Sequence, residues 1–329
     1  MNEVPTQPGA RIGLISNANS GHNRDQYPEI QKILASCGNV HHIETSSVED
    51  IPEALRRLAE LKIEILAING GDGTVSAILG CAMENKIFPQ LPAVVLLPGG
   101  TANMNASDIG SSGKLLPAVR RFCTWANAGA AQDGERTQRC QMRVQIGAEV
   151  DPHYGMFLGM GAVIQGTEYA HENIHSRGLR DDISVAVGTA RTVWGLFRSD
   201  PRFSHPLPVQ VTLDQASSSA SHNALILVVS SLQRLALGMR PFWGRGPGTL
   251  RLTLIQENSY KFLRTFISIV RGKPNQHATP ENGYFSYNAE HISLSMTGSL
   301  NLDGEILHNT DDQHPITISA SEPVTFLRV

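Results

Sequence analysis

Asp72 stands in Gly70-Gly71-Asp72-Gly73-Thr74, one carboxylate among three glycines and a hydroxyl. Glycine lets a backbone come close to a ligand and adopt angles that other residues avoid. The N–H groups of Gly70, Gly71 and Gly73 can hold phosphate oxygens, and the Thr74 hydroxyl can add a hydrogen bond. One negative charge in such a cradle repels phosphate, so Asp72 implies a cation or a proton-transfer role. A second turn, Pro98-Gly99-Gly100-Thr101-Ala102-Asn103, brings another hydroxyl on Thr101 and an amide on Asn103. A polar loop, Asn17-Ala18-Asn19-Ser20-Gly21, comes before both. Phosphoryl transfer uses such parts: donors for the phosphate oxygens, a metal, and a base that takes the acceptor's proton.

Each turn follows a short apolar run. Residues 11–16, 63–68 and 92–97 read as strands, the last two as buried parallel ones. Residues 40–44 read as a further strand, and 28–37, 48–62, 75–83 and 115–128 as helices, with Ser47 capping the second. Alternating β and α predicts an α/β N-terminal domain with a Rossmann-like parallel sheet, whose ligands bind at the carboxyl ends of the strands. Beyond about residue 139 the pattern changes. Residues 139–146, 154–164, 208–213, 224–230, 250–256 and 291–296 read as strands of a mainly antiparallel β-sandwich second domain, interrupted by helices over 183–197 and 260–270. Residues 128–134 are small and suit a hinge, and 315–329 reads as two short strands. The expected division is 1–133 for the nucleotide-binding domain, completed by 309–329, and 134–308 for the β-rich domain.

The chain has 329 residues, 41% hydrophobic and 17% charged, enough for two cores. Its formal charge of -3 argues against a broad nucleic-acid-binding surface. The four cysteines, Cys37, Cys81, Cys123 and Cys140, form no C-x-x-C pair; Cys37 and Cys81 lie on apolar helical patterns and read as buried thiols in a reducing compartment. The first ten residues hold no signal-peptide core, and no apolar run reaches the length of a membrane span. A cytoplasmic protein, at most peripherally attached to a membrane, is the expectation.

The Gly70–Thr74 turn resembles the signature of the superfamily that holds diacylglycerol kinases, sphingosine and ceramide kinases, and NAD kinases. The Asn17–Gly21 loop resembles the Asn-Pro-x-Ser-Gly loop of the lipid kinases, with Ala18 where proline is usual. Residues 98–103 resemble their Gly-Thr-x-Asn turn, and the distant Leu302-Asp303-Gly304-Glu305 their Asp-Gly-Glu. The resemblance implies an ATP-dependent lipid kinase that uses Mg²⁺ and phosphorylates the primary hydroxyl of a diacylglycerol-like or sphingoid (ceramide) lipid. It implies nucleotide contacts from Asn17, Ser20, Gly21, Gly70, Gly71, Gly73, Thr74, Gly100, Thr101 and Asn103, with Arg24 as a further phosphate contact. Asp303 is the implied general base, Glu305 its support, and Asp72 a metal or proton-transfer group; no metal ligand set is assigned. Family members often read Gly-Thr-Gly-Asn-Asp, whereas Met104 and Asn105 follow Asn103 here, which removes a carboxylate from any structural metal site tied to it. The partners implied are a lipid and a peripheral membrane surface, with a homodimer left open.

Three other readings compete. One is a kinase of a soluble acceptor such as NAD, and another a nucleotide-binding protein without catalysis. The third is a zinc peptidase, because residues 171–181 fit H-E-x-x-H-x-x-G-x-x-D with His171, Glu172, His175 and Asp181. No other zinc-site element accompanies that pattern. In the second domain, residues 192–198 and 262–271 mix bulky apolar residues with arginines, and Phe242-Trp243 is the preferred candidate for an exposed lipid-contacting loop.

Overall fold

The computed structural model describes residues 10–111, 113–129, 134–149, 151–166, 206–214, 219–311 and 313–329. Two compact units are present: Met1–Gln138 with Val324–Val329, and Arg139–Pro323. The C-terminal contribution to the first unit is thus shorter than the 309–329 expected, because residues 305–309 and 316–320 are strands of the second.

In the first unit, strands β1 (Ile12–Asn17), β2 (Val40–Thr45), β3 (Ile65–Gly70), β4 (Ala93–Pro98) and β5 (Glu135–Arg139) share a six-stranded sheet with the strand Val324–Arg328. The order is β2-β1-β3-β4, then Val324–Arg328, then β5. β1 pairs in parallel with β2 on one side and β3 on the other, and β3 with β4. The chain steps one way from β1 and then crosses back, so a topological switch point falls between β1 and β3, where open sheets of this kind bind ligands. β3 is buried at every position, as its continuous apolar run requires of a central parallel strand.

Helices α1 (Asn23–Leu34), α2 (Ile51–Glu60), α3 (Asp72–Glu84), α4 (Met104–Asp108) and α5 (Leu115–Asn127) lie between the strands in sequence. α1 begins five residues before Pro28, the expected start. Its first residue, Asn23, is fixed by a bond from its amide to the Gly99 carbonyl (3.3 Å), and this tertiary anchor outweighs the bond that Pro28 cannot make. Ser47 does not cap α2. The helix starts at Ile51, and Asp50 Oδ2 accepts the Ser46 and Ser47 amides, while Pro52 fits the first turn. Cys37 is not a free thiol: it is bonded to Cys123 on α5, an alignment of two packed helices that a spacing of 86 residues does not reveal. Cys81 is half-buried rather than buried.

The second unit holds β6 (Met142–Gln145), β7 (His153–Gly155), β8 (Phe157–Gly161), β9 (Leu207–Leu213), β10 (Ala220–Ser230), β11 (Leu250–Gln256), α6 (Phe262–Val270), β12 (Tyr284–Ala289), β13 (His291–Ser295), β14 (Gly298–Leu302), β15 (Glu305–Asn309) and β16 (Ile316–Ala320). After β16 the chain returns to the first sheet as β17 (Val324–Arg328). The mainly antiparallel β unit expected is present, as one eleven-stranded sheet that curls. The curl centres on β10: its first half pairs with β9, its second half with β8, and a register irregularity lies between Ala224 and Ile226. Among the described residues no helix is long and apolar enough to cross a membrane.

Phe122, fully buried on α5 within the core of the first unit, tests that packing. Phe122→Ala is expected to lower stability by about 3–5 kcal/mol in urea unfolding, the usual result of emptying such a site.

Candidate active site

The three turns of the first unit close on one another. From the end of β1, Asn17 Nδ2 donates to Thr74 Oγ1 (3.0 Å), and Asn17 Oδ1 accepts the Asn19 amide (3.0 Å). Ser20 Oγ donates to the Asn17 carbonyl (3.0 Å) and approaches the Gly99 carbonyl (3.3 Å). Asn23, fully buried, ties the first turn to the second: its Nδ2 donates to the carbonyls of Asn17 (2.7 Å) and Asn69 (3.2 Å). Sequence reasoning missed Asn23, because a polar residue just past a loop carries no periodic signal. A Cβ on Gly21 would lie 2.8 Å from the Thr101 amide nitrogen, and one on Gly100 only 2.3 Å from Gly71 Cα. Backbone meets backbone there, so these two positions require glycine.

Asn103 opens α4 at φ 46, and its side chain serves its own turn: Nδ2 donates to the Gly100 carbonyl (2.7 Å) and Oδ1 accepts the Gly100 amide (2.8 Å). Asn17 and Asn103, expected to contact nucleotide, brace the turns with these bonds, and each side-chain amide keeps hydrogen-bonding capacity beyond them. Gly70 lies in strand β3 rather than in a loop, and a Cβ there would meet Thr74 Cγ2 at 2.6 Å.

Asp72 is 7% exposed. Its Oδ2 accepts the Met104 amide (3.0 Å) and its Oδ1 the Asn105 amide (2.9 Å), the first two residues of α4. The carboxylate of one helix start thereby caps the next helix, a favourable place for negative charge. Burial pushes its pKa up, and the two amide bonds oppose that shift.

α3 keeps its own start bare. Gly71 precedes it in an extended conformation with no side-chain cap, and Val75 is the first residue whose amide finds a turn partner, the Gly71 carbonyl (3.0 Å). The amides of Asp72, Gly73 and Thr74 precede any intrahelical acceptor. A Cβ on Gly73 would meet nothing within 4 Å, so the space beside Gly73 is open. Amides without intrahelical partners at the positive end of a 13-residue helix suit an anion. Arg24 lies exposed on α1.

Asp303 belongs to the second unit. With Gly304 it forms the two-residue turn joining β14 to β15, both at positive φ (49 and 100), as a type I′ hairpin turn demands. Its Oδ2 accepts the Met156 amide (3.0 Å), its Oδ1 the Phe157 amide (2.9 Å), and its own amide donates to the Phe157 carbonyl (2.9 Å). Glu305, first residue of β15, is exposed. His171, Glu172, His175 and Asp181 of the zinc pattern, and residues 192–198, lie outside the described residues. Phe242 and Trp243 are half-buried against the core around Ile255 and Tyr284, so they do not form an exposed loop.

Residues 11–127 match the family model described as the diacylglycerol kinase catalytic domain. This segment thus resembles a diacylglycerol kinase catalytic domain. No curated protein matches the chain. Solved structures share the fold of the whole chain. A diacylglycerol kinase from Bacillus anthracis is 17% identical over 98% of each chain, with a TM-score of 0.63. Two structures of candidate diacylglycerol kinases from the same organism give 17% and 16% identity, TM-scores of 0.67 and 0.64, and coverage of 98–100% of this chain and 98–99% of theirs. The kinase domain is therefore of lipid-kinase type, and its three turns are the ones that the motifs single out.

Kinase chemistry calls for a divalent metal. Among the described residues no group of three or more His, Cys, Asp or Glu could cage one. Asp72 supplies one carboxylate whose oxygens each keep a lone pair beyond the amide bond. Mg²⁺ is commonly held by one or two carboxylates together with waters and substrate phosphates, and these residues fit that mode.

Two glycine variants separate architecture from ligand contact in the kinase domain. Gly100→Ala is expected to lower the melting temperature. Gly73→Ala is expected to leave it unchanged and to weaken nucleotide binding, both read by thermal melts with and without ATP. Asp72 has a raised folded pKa, so its contribution to stability is present below its ordinary value of 3.8 and is lost as pH rises through the folded value. Urea unfolding across pH 3–7, a range chosen on the order of the carboxylate pKa values, should show the native protein losing stability relative to Asp72→Asn as pH rises.

Proposed function

We propose that the protein is an ATP-dependent lipid kinase that transfers the γ-phosphoryl group to the primary hydroxyl of a diacylglycerol-like or sphingoid lipid. The bare, open start of α3 at the switch point carries this reading, within the segment that matches the kinase family. Amides of Gly71, Gly73 and Thr74 would hold the phosphates, with the Thr101 hydroxyl and the Ser20–Gly21 turn beside them. Thr74 Oγ1 already accepts from Asn17, so its hydroxyl proton remains available to an oxygen of the nucleotide.

Asp303 takes the proton of the attacking hydroxyl. The acceptor oxygen bonds to the γ-phosphorus, the bond to the β–γ bridging oxygen breaks, and ADP leaves. The two amides on Asp303 orient its carboxylate for this task. Asp72 holds the turn between α3 and α4 and would carry the metal through its remaining lone pairs; Mg²⁺, when bound, neutralises charge on the phosphates. Asp72 and Asp303 each have both oxygens on backbone amides, so the choice of Asp303 as base rests on its Asp-Gly-Glu motif and not on a difference in these bonds. Glu305, two residues from Asp303, would support it from the same hairpin. Residues 139–323 would receive the lipid. The reading carries with it a cytoplasmic protein that meets membranes peripherally.

The test is radiolabel transfer from ATP to a panel of dispersed diacylglycerol, ceramide, sphingosine and NAD. A phosphorylated lipid is expected. Asp303→Asn should retain ATP binding and lose transfer by a factor of about 10²–10⁴, the range for a general base. Label on NAD alone, or full transfer by Asp303→Asn, would overturn the reading.

A further inference from the structure

We infer that the face built by α6 and the neighbouring turn at Leu237 docks on an anionic lipid surface. The inference takes its partner class from the lipid-kinase reading, but its observations are separate from the kinase domain.

α6 reads Phe-Leu-Arg-Thr-Phe-Ile-Ser-Ile-Val over Phe262–Val270. At about 100° per residue, its apolar side chains cover an arc of roughly 160°. Only Thr265 and Ile269 are buried. Phe262 and Phe266 lean partly onto the core, stacked on each other at 5.5 Å. Ile267 is 36% exposed, and Leu263 and Val270 beside it are half-buried. The helix is thus apolar over much more of its circumference than the sheet beneath it covers.

A second apolar tip lies beside it. The Arg240 amide donates to the Val270 carbonyl (2.9 Å), which holds the turn over residues 235–240 against the C-terminus of α6. Leu237 in that turn is 52% exposed and sits at φ 57, a left-handed conformation unfavourable for a branched apolar residue. Backbone strain here presents an apolar side chain to solvent.

Charge selects the occupant. Between residues 231 and 279 the sequence carries eight Lys or Arg and one acidic residue, Glu257, in a chain whose formal charge is -3. Lys261, Arg264, Arg271 and Lys273 lie on α6 or within three residues of its ends, are exposed, and have no carboxylate partner among the described residues. An amphipathic helix with apolar side chains flanked by basic ones partitions into the interface of anionic membranes, where apolar burial and attraction to headgroups act together.

The experiment is co-sedimentation of the whole protein with vesicles of phosphatidylcholine alone and with 30% phosphatidylglycerol, on the order of the anionic content that such attraction needs. The native protein is expected to bind the anionic vesicles and to be released by salt. Leu237→Glu/Ile267→Glu, checked by circular dichroism for native folding, should bind them on the order of tenfold less. Equal binding by the folded variant, or no binding by the native protein, overturns the inference. A native dimer in gel filtration that the variant abolishes also overturns it, by assigning the face to a second copy of the chain. Transfer to short-chain diacylglycerol in detergent micelles is measured in parallel. It reports on the kinase reading alone, so failure of one does not pass for failure of the other.

Discussion

The carboxylate of Asp72 and the two amides of Met104 and Asn105 set the geometry on which the kinase domain depends. Gly71 and Gly100 approach so closely that no side chain fits between them, and the backbones of two turns gain little by such an approach on their own. The two hydrogen bonds that the Met104 and Asn105 amides donate to this buried carboxylate hold α3 and α4 together at that distance. They also redirect the charge. An aspartate in the first turn of α3 could have faced that helix's own amides; turned toward α4, it leaves those amides open to an anion. A signature carboxylate and a phosphate site can then occupy one turn without mutual repulsion.

Asp303 repeats the device on an unrelated element. There a hairpin turn, not a helix start, supplies the residue, and two consecutive amides from the segment entering β8 hold the carboxylate. Asp303 sits at positive φ in its turn, and its carboxylate reaches the amides of Met156 and Phe157. In both units the acidic group named by its motif accepts two consecutive backbone amides.

Much of this was legible in the sequence where local rules and tertiary contacts agree. β3, the start of α5 at Leu115 and the strand Leu250–Gln256 were readable from apolar runs and turn residues. Ser47 and Pro28 misled, because a capping serine and a helix-starting proline are statistical signals, and here Asp50 and Asn23 had the better partners. The site was legible as a set of turns. It was not legible as a division of labour: nothing in Asn17 or Asn103 says whether an amide binds nucleotide or braces its own loop, since that depends on which backbone groups lie within 3 Å. The Cys37–Cys123 bond and the half-buried place of Trp243 likewise follow from packing between elements far apart in the chain.

The position of β17 sets an order of assembly. Its five residues lie between β4 and β5 in the first sheet, yet they are translated after every strand of the second unit. Domains generally fold as units in the order of synthesis, amino-terminal first. Here the earlier unit stays incomplete, with the edge of β4 open and β5 unsupported, until β17 has been made. Until then the chain would hold its glycine turns on an unfinished sheet.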